Sequence, residues 1–222
     1  MANSLSRSFG LVAGSLTAIV LSSQVARAAD FDFSGTFDAD NDVLMFDFTV
    51  DLDSSVTVFS SSWDDGGLDP ILSIWDTAGN LIQEQDDGEN IGSTSSNGVF
   101  YDHGVWDSYY TEFLTAGDYT AVVTQFDNFA NGTSLSDGFS YDGPGNENFT
   151  ATLGSCSNGQ FCGVFPFDDN RTNEWVFHLT NVGSATVIGD DPESVPEPAS
   201  LLGLAAIGAV VTGSALKKKA AA

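Results

Sequence analysis

Positive charge is scarce in this sequence, and almost all of it stands at the two ends. The basic residues are Arg7, Arg27, Arg171, Lys217, Lys218 and Lys219, against 31 Asp and Glu that all lie between Asp30 and Glu197. Across residues 30–198 the acids meet only Arg171, which leaves a formal charge of about −30. A body of that sign repels nucleic-acid phosphates and anionic lipid, so nucleic acid is excluded as a partner, and it attracts cations. Cysteine is nearly as scarce, with only Cys156 and Cys162. Motifs for nucleophilic, zinc-hydrolase or phosphate chemistry are missing: there is no Gly-x-Ser-x-Gly, no His-Glu-x-x-His and no Gly-rich phosphate loop. The expectation is therefore a protein that is not an enzyme. A sustained helical period is also missing between the termini, which removes helical bundles from consideration.

The ends carry signals of their own. Arg7, the apolar run at 11–21 and the small-x-small site Ala26-Arg27-Ala28 read as a secretory signal peptide over residues 1–28. No acid precedes Asp30, so the charge density changes just where the site ends. At the other end, Val195-Pro196-Glu197-Pro198 is a stiff element broken by proline. Residues 199–216 follow without a charge, then Lys217-Lys218-Lys219. As a helix this stretch spans roughly 27 Å, just under a hydrocarbon core of ~30 Å. The lysines would keep the C-terminus in the cytoplasm and the acidic body outside.

Those three parts, in that order, resemble the PEP-CTERM sorting signal of Gram-negative bacteria. The resemblance implies export, temporary retention in the membrane through a C-terminal transmembrane helix, and cutting by a membrane-embedded exosortase. Pro196, Glu197 and Pro198 would be the recognition element. It also implies a place at the cell surface or in the extracellular matrix, with exopolysaccharide as a partner.

Between the signals, period-2 alternation recurs. Leu44, Phe46, Phe48 and Val50 alternate with Asp47 and Thr49; Trp175, Phe177 and Leu179 alternate with Glu174, His178 and Thr180. Phe149, Ala151 and Leu153 alternate with Asn148, Thr150 and Thr152. Residues 54–60, 71–75, 81–85 and 118–126 read as strands too. Asp64-Asp65-Gly66-Gly67, Ala78-Gly79-Asn80, Asp86-Asp87-Gly88 and Ala116-Gly117-Asp118 supply the turns between them. The expected fold is all-β: a single, jelly-roll-like β-sandwich over residues 30–190, with a signal helix before it, a linker at 191–198 and a transmembrane sorting segment at 199–222. The Gly/Ser/Asn-rich stretch at 128–146 reads as a long surface loop.

Part of the body resembles bacterial pre-peptidase C-terminal-like domains. The residues that carry this are Asp69-Pro70-Ile71-Leu72-Ser73-Ile74, Gly79-Asn80-Leu81-Ile82 closed by Asp86-Asp87-Gly88, and Leu114-Thr115-Ala116-Gly117-Asp118-Tyr119. The resemblance covers residues 31–126 and implies a β-sandwich with an accessory role, without catalytic residues.

Three groups of side chains invite a functional reading. Cys156 and Cys162 flank a spacer that can turn at Gly159, and after export a disulfide is expected; two free thiols or half a zinc site are the rivals. Asp64, Asp65 and Asp69 precede one strand, and Asp86, Asp87 and Glu89 follow the next. If those strands are neighbours the acids converge at one sandwich edge, an oxygen-rich site of the kind Ca²⁺ takes. The alternative is that they only initiate turns and stay solvated. Asp38-x-Asp40-x-Asp42 begins like an EF-hand loop, but Val43 replaces the glycine and Thr49 the glutamate. Trp63, Tyr101, Trp106, Tyr109 and Tyr110 either stack on sugars or plug the ends of the core. His103 and His178 are expected at the surface. The leading expectation is a non-catalytic envelope or matrix protein. A calcium-dependent carbohydrate-binding module is the alternative, and a secreted hydrolase using a carboxylate pair is the third reading.

Overall fold

The computed structural model describes residues 28–88, 90–163 and 169–188. The expected signal segment up to Arg27, the Pro196-Glu197-Pro198 element and the apolar segment at 199–222 lie outside the described residues. Among the described residues no helix is long and apolar enough to cross a membrane.

The alternating segments form strands because each offers one apolar face to a common core. In chain order the strands are β1 (Ala29–Thr36), β2 (Val43–Val50), β3 (Ser54–Ser60), β4 (Pro70–Asp76), β5 (Leu81–Gln85), β6 (Gly92–Ser96), β7 (Val99–His103), β8 (Tyr109–Leu114), β9 (Gly117–Gln125), β10 (Glu174–Val182) and β11 (Ser184–Ile188). One sheet has the order β1-β10-β3-β8, a second β11-β2-β9-β4-β5, and β6 and β7 pair as a separate hairpin. The pairs β1·β10, β2·β9, β3·β8 and β4·β5 are nested one inside the next, and all are antiparallel. That is the winding of a jelly roll.

The two large sheets stack face to face on an aromatic core. Phe33, Phe177 and Leu179 from the first meet Phe46, Phe48, Leu72 and Ile74 from the second in one buried cluster. The ring of Phe46 lies 4.6 Å from both Phe33 and Phe177 across the sandwich. Each such side chain contributes about 1.5–3 kcal/mol by burial, and truncating Phe46 to Ala would cost about 3–5 kcal/mol.

Two expectations are corrected. Residues 148–153 do not form a strand: Thr150–Leu153 is a one-turn helix, α1. The cause is a tertiary contact, because the buried Asp40 carboxylate accepts hydrogen bonds from the Thr150 N–H and hydroxyl and holds the turn from the far end of the chain. The stretch 128–146 is also more than a surface loop. Phe139 is buried against Trp75 and Val122 on the outer face of the second sheet.

The β6–β7 hairpin goes unread in the sequence because Gly92-Ser-Thr-Ser-Ser96 has no apolar alternation. Its turn is legible: Asn97 and Gly98 take φ of 49° and 78°, the left-handed pair that a tight hairpin requires. Asn97 then pins the hairpin to β1, its side-chain amide donating to the Asp30 carbonyl and the Asp32 carboxylate. The hairpin thereby covers the outer face of the first sheet.

Candidate functional site

The topology gathers carboxylates at one end of the second sheet. β4 runs between β5 and β9. Asp69 immediately precedes β4, and Asp86 and Asp87 immediately follow β5. Leu72 stands opposite Gln85, so antiparallel register carried two residues on sets Pro70 against Asp87. On the other side Pro70 stands opposite Gln125, the last residue of β9, and the Phe126 N–H donates to the Asp69 carbonyl at 2.7 Å. Ser108 closes the end: its Oγ reaches the backbone carbonyls of Pro70, Gln85 and Asp86, and its single hydroxyl proton donates to one of them at a time.

One carboxylate oxygen each from Asp69, Asp86 and Asp87 lies within 4.8 Å of the others. Burial raises the Asp69 pKa to about 8, helped by the charges of Asp86, Asp87 and Asp107 and opposed by Arg171. Asp86 is pushed up to about 7 by burial and by Asp87, Asp127 and Glu84. Asp87 is raised by burial alone. Asp69 Oδ1, Asp86 Oδ1 and Gln125 Oε1 are buried oxygens without a hydrogen-bond partner.

Of the five acids proposed from the sequence, the fold brings these three together. Asp64 is exposed and packs its carboxylate over Gly104. Asp65, also exposed, lines a groove with Ser34, Thr36 and Glu174 on the first sheet. Glu89 lies outside the described residues. Asp40 and Asp42 of the EF-hand-like run organise turns instead: Asp40 Oδ1 accepts from the Phe161 N–H at 2.8 Å, and Asp42 Oδ2 from the Ala39 N–H at 2.9 Å. Cys156 and Cys162 are disulfide-bonded, with Cα atoms 5.3 Å apart.

A second constellation was missed from the sequence. His178 and His103, expected at the surface, are 0% and 2% exposed: the β6–β7 hairpin lies over His178, and His103, at the end of β7, turns under it against Phe59 and Tyr109. Asp32 Oδ1 lies 2.7 Å from His178 Nδ1, and Ser61 Oγ lies 2.9 Å from Nε2. The ring is packed between Phe59 and Tyr101, with centroids at 4.3 and 4.1 Å. The order Ser-His-Asp is that of a hydrolytic relay, but its setting is wrong for one. Ser61 is buried, and the N–H groups of Ser62 and Trp63 already donate to Asp107 Oδ1 at 2.8 and 3.1 Å. An oxyanion there would face a carboxylate instead of free donors. Burial lowers the His178 pKa, although the Asp32 carboxylate pulls it the other way. Burial acts to raise Asp32, but the hydrogen bonds from His178 and Asn97 hold it below the usual range.

Most of the loop aromatics fill space. Tyr110 belongs to the core, Tyr109 packs on Phe59 and His103, and Tyr101 on His178. The Arg171 guanidinium lies 3.6 Å over Trp63, whose ring is 6.1 Å from that of Trp106.

The chain matches no protein-family model and no curated protein.

Proposed function

We propose that this protein is a non-catalytic component of the bacterial envelope or extracellular matrix, exported through its N-terminal signal and sorted through its C-terminal one. One observation carries the reading: the sandwich occupies the segment that both processing events would leave. β1 starts at Ala29, directly after the small-x-small site, and β11 ends at Ile188, before Pro196-Glu197-Pro198. The disulfide supports delivery to an oxidising compartment. The sealed Ser61–His178–Asp32 relay supports a non-catalytic role. Exopolysaccharide is the partner assigned by this reading, and an exosortase-type protease is the enzyme for which the chain is a substrate.

The test is fractionation of the native organism, followed by intact-mass measurement of the protein outside the cell. The mass should start near Ala29 and lack the lysine tail. Extracellular protein that still carries Lys217–Lys219 would overturn the sorting step. Mutating Pro196, Glu197 and Pro198 should leave the protein in the membrane.

A further inference from the structure

We propose that Asp69, Asp86 and Asp87 bind one Ca²⁺ that clamps the start of β4 to the end of β5. An acidic cluster alone does not make a site, since surface acids commonly stay solvated. Two features set this one apart. Asp69 is only 7% exposed, yet its Oδ1 has no hydrogen-bond donor. Gln125, 1% exposed and directly across from Pro70, likewise has Oε1 buried and unpartnered. A buried acceptor without a donor costs free energy, and several at one strand end point to a missing electrophile.

The donor chemistry selects the ion. Every group is an oxygen, and the cluster contains no imidazole or thiolate, so a hard cation is required. Oxygens on one Ca²⁺ at about 2.3–2.6 Å can stand up to roughly 5 Å apart, and the three carboxylates fall within 4.8 Å. The charge balance points the same way. Asp107, Asp127 and Glu84 add to the negative potential of the group, and Arg171 opposes it. A divalent ion would relieve that repulsion at its centre. Asp69 lies ahead of β4, while Asp86 and Asp87 close β5, so one ion would tie the open ends of two paired strands whose covalent connection, the β4–β5 turn, is at their other end. This assignment does not depend on export or sorting.

The experiment is calorimetric titration of the full chain, stripped with chelator and held at fixed ionic strength, with CaCl₂ alone. One Ca²⁺ per chain is expected, with Kd of ~10⁻⁴–10⁻³ M or tighter, the range of extracellular modules. Asp69→Asn and Asp86→Asn should each weaken binding at least tenfold. Asp64→Asn should leave it within twofold. Asp87→Asn, at the least buried ligand that still belongs to the cluster, keeps the test valid should either buried variant lose its β-sheet circular dichroism; it too should weaken binding. Absence of saturable binding overturns the proposal, as do unchanged affinities in the cluster variants. A thermal shift that Mg²⁺ and NaCl of matched ionic strength reproduce in full would also overturn it.

Discussion

His178 Nδ1 stands 2.7 Å from Asp32 Oδ1, and this contact joins β10 to β1 beneath the β6–β7 hairpin. A carboxylate can only accept, so Nδ1 carries the proton and Nε2 accepts from the Ser61 hydroxyl. The imidazole is neutral and buried on both faces.

That arrangement sets a pH dependence. His178 has a lowered pKa in the folded protein, chiefly through burial, so the unfolded chain takes up the proton first. Stability from this group is full above the unfolded value of ~6.5 and falls as pH drops through the folded one. The share of the urea midpoint that His178 contributes should therefore decline on acidification below about pH 6.5, against the opposite drift from buried carboxylates. In His178→Gln that part of the slope should disappear, although the variant is less stable at pH 7. An unchanged slope would mean that His178 is not the titrating group.

Asp69 and Asp86 titrate in the opposite sense. Their folded pKa values, about 8 and about 7, lie above those of the unfolded chain. The folded state holds the extra protons, so this contribution is present at low pH and is lost as pH rises toward 8. In EDTA at pH 8, Asp69→Asn should melt higher than the parent protein, because it removes a desolvated, repelled charge. A gain of about 1 kcal/mol corresponds to roughly 2–4 °C for a chain of this size. The gain should vanish near pH 4–5 and reverse in millimolar Ca²⁺. Melting curves at two pH values, with and without Ca²⁺, decide it.

Asp40 is the buried carboxylate that the EF-hand-like spacing drew attention to, and its role is mechanical. It accepts from Thr150 and Phe161, and the Thr150 hydroxyl in turn accepts from the Cys162 N–H at 3.1 Å. Asp40→Ala strands those donors at the disulfide loop and should cost about 3 kcal/mol, more than the ~2–2.5 kcal/mol expected for opening the Cys156–Cys162 loop. Urea denaturation of Asp40→Ala beside a Cys156→Ser/Cys162→Ser variant measures the two together. Equal or smaller loss for Asp40→Ala would show that the carboxylate does not hold the loop.

These residues also mark what could be read in advance. Phe46, Phe48 and Val50, or Trp175, Phe177 and Leu179, announce their strands because a half-buried strand must alternate, and all six are buried. The His178 position alternates just as plainly onto the other face. Alternation cannot say that a polar hairpin will lie on that face, so the histidine looks solvated in sequence and is sealed in the fold. The acids divide for a similar reason. Asp64 and Asp69 are five residues apart, and only the placement of β4 between β5 and β9 separates them. The turn at residues 63–66 leads instead toward Arg171, which donates to the carbonyls of Trp63 and Gly67. Residues 148–153 alternate yet coil into α1, since a distant carboxylate captures Thr150.

Gly88 tests the carboxylate cluster without touching a ligand. Its N–H donates to the Asp107 carbonyl at 2.8 Å, and a Cβ there would stand 2.6 Å from the same oxygen and 3.0 Å from Tyr109. Backbone cannot yield as a side-chain tip can, so Gly88→Ala must push the Asp86–Asp87 turn away from β8. Overpacking of this kind costs about 1–3 kcal/mol. The same displacement carries Asp86 and Asp87 off Asp69, so Ca²⁺ affinity should fall by several-fold although every carboxylate is still present. Calorimetric titration and a melting curve on one preparation separate the effects. Lower stability with unchanged Ca²⁺ affinity would mean that the turn does not set the cation geometry.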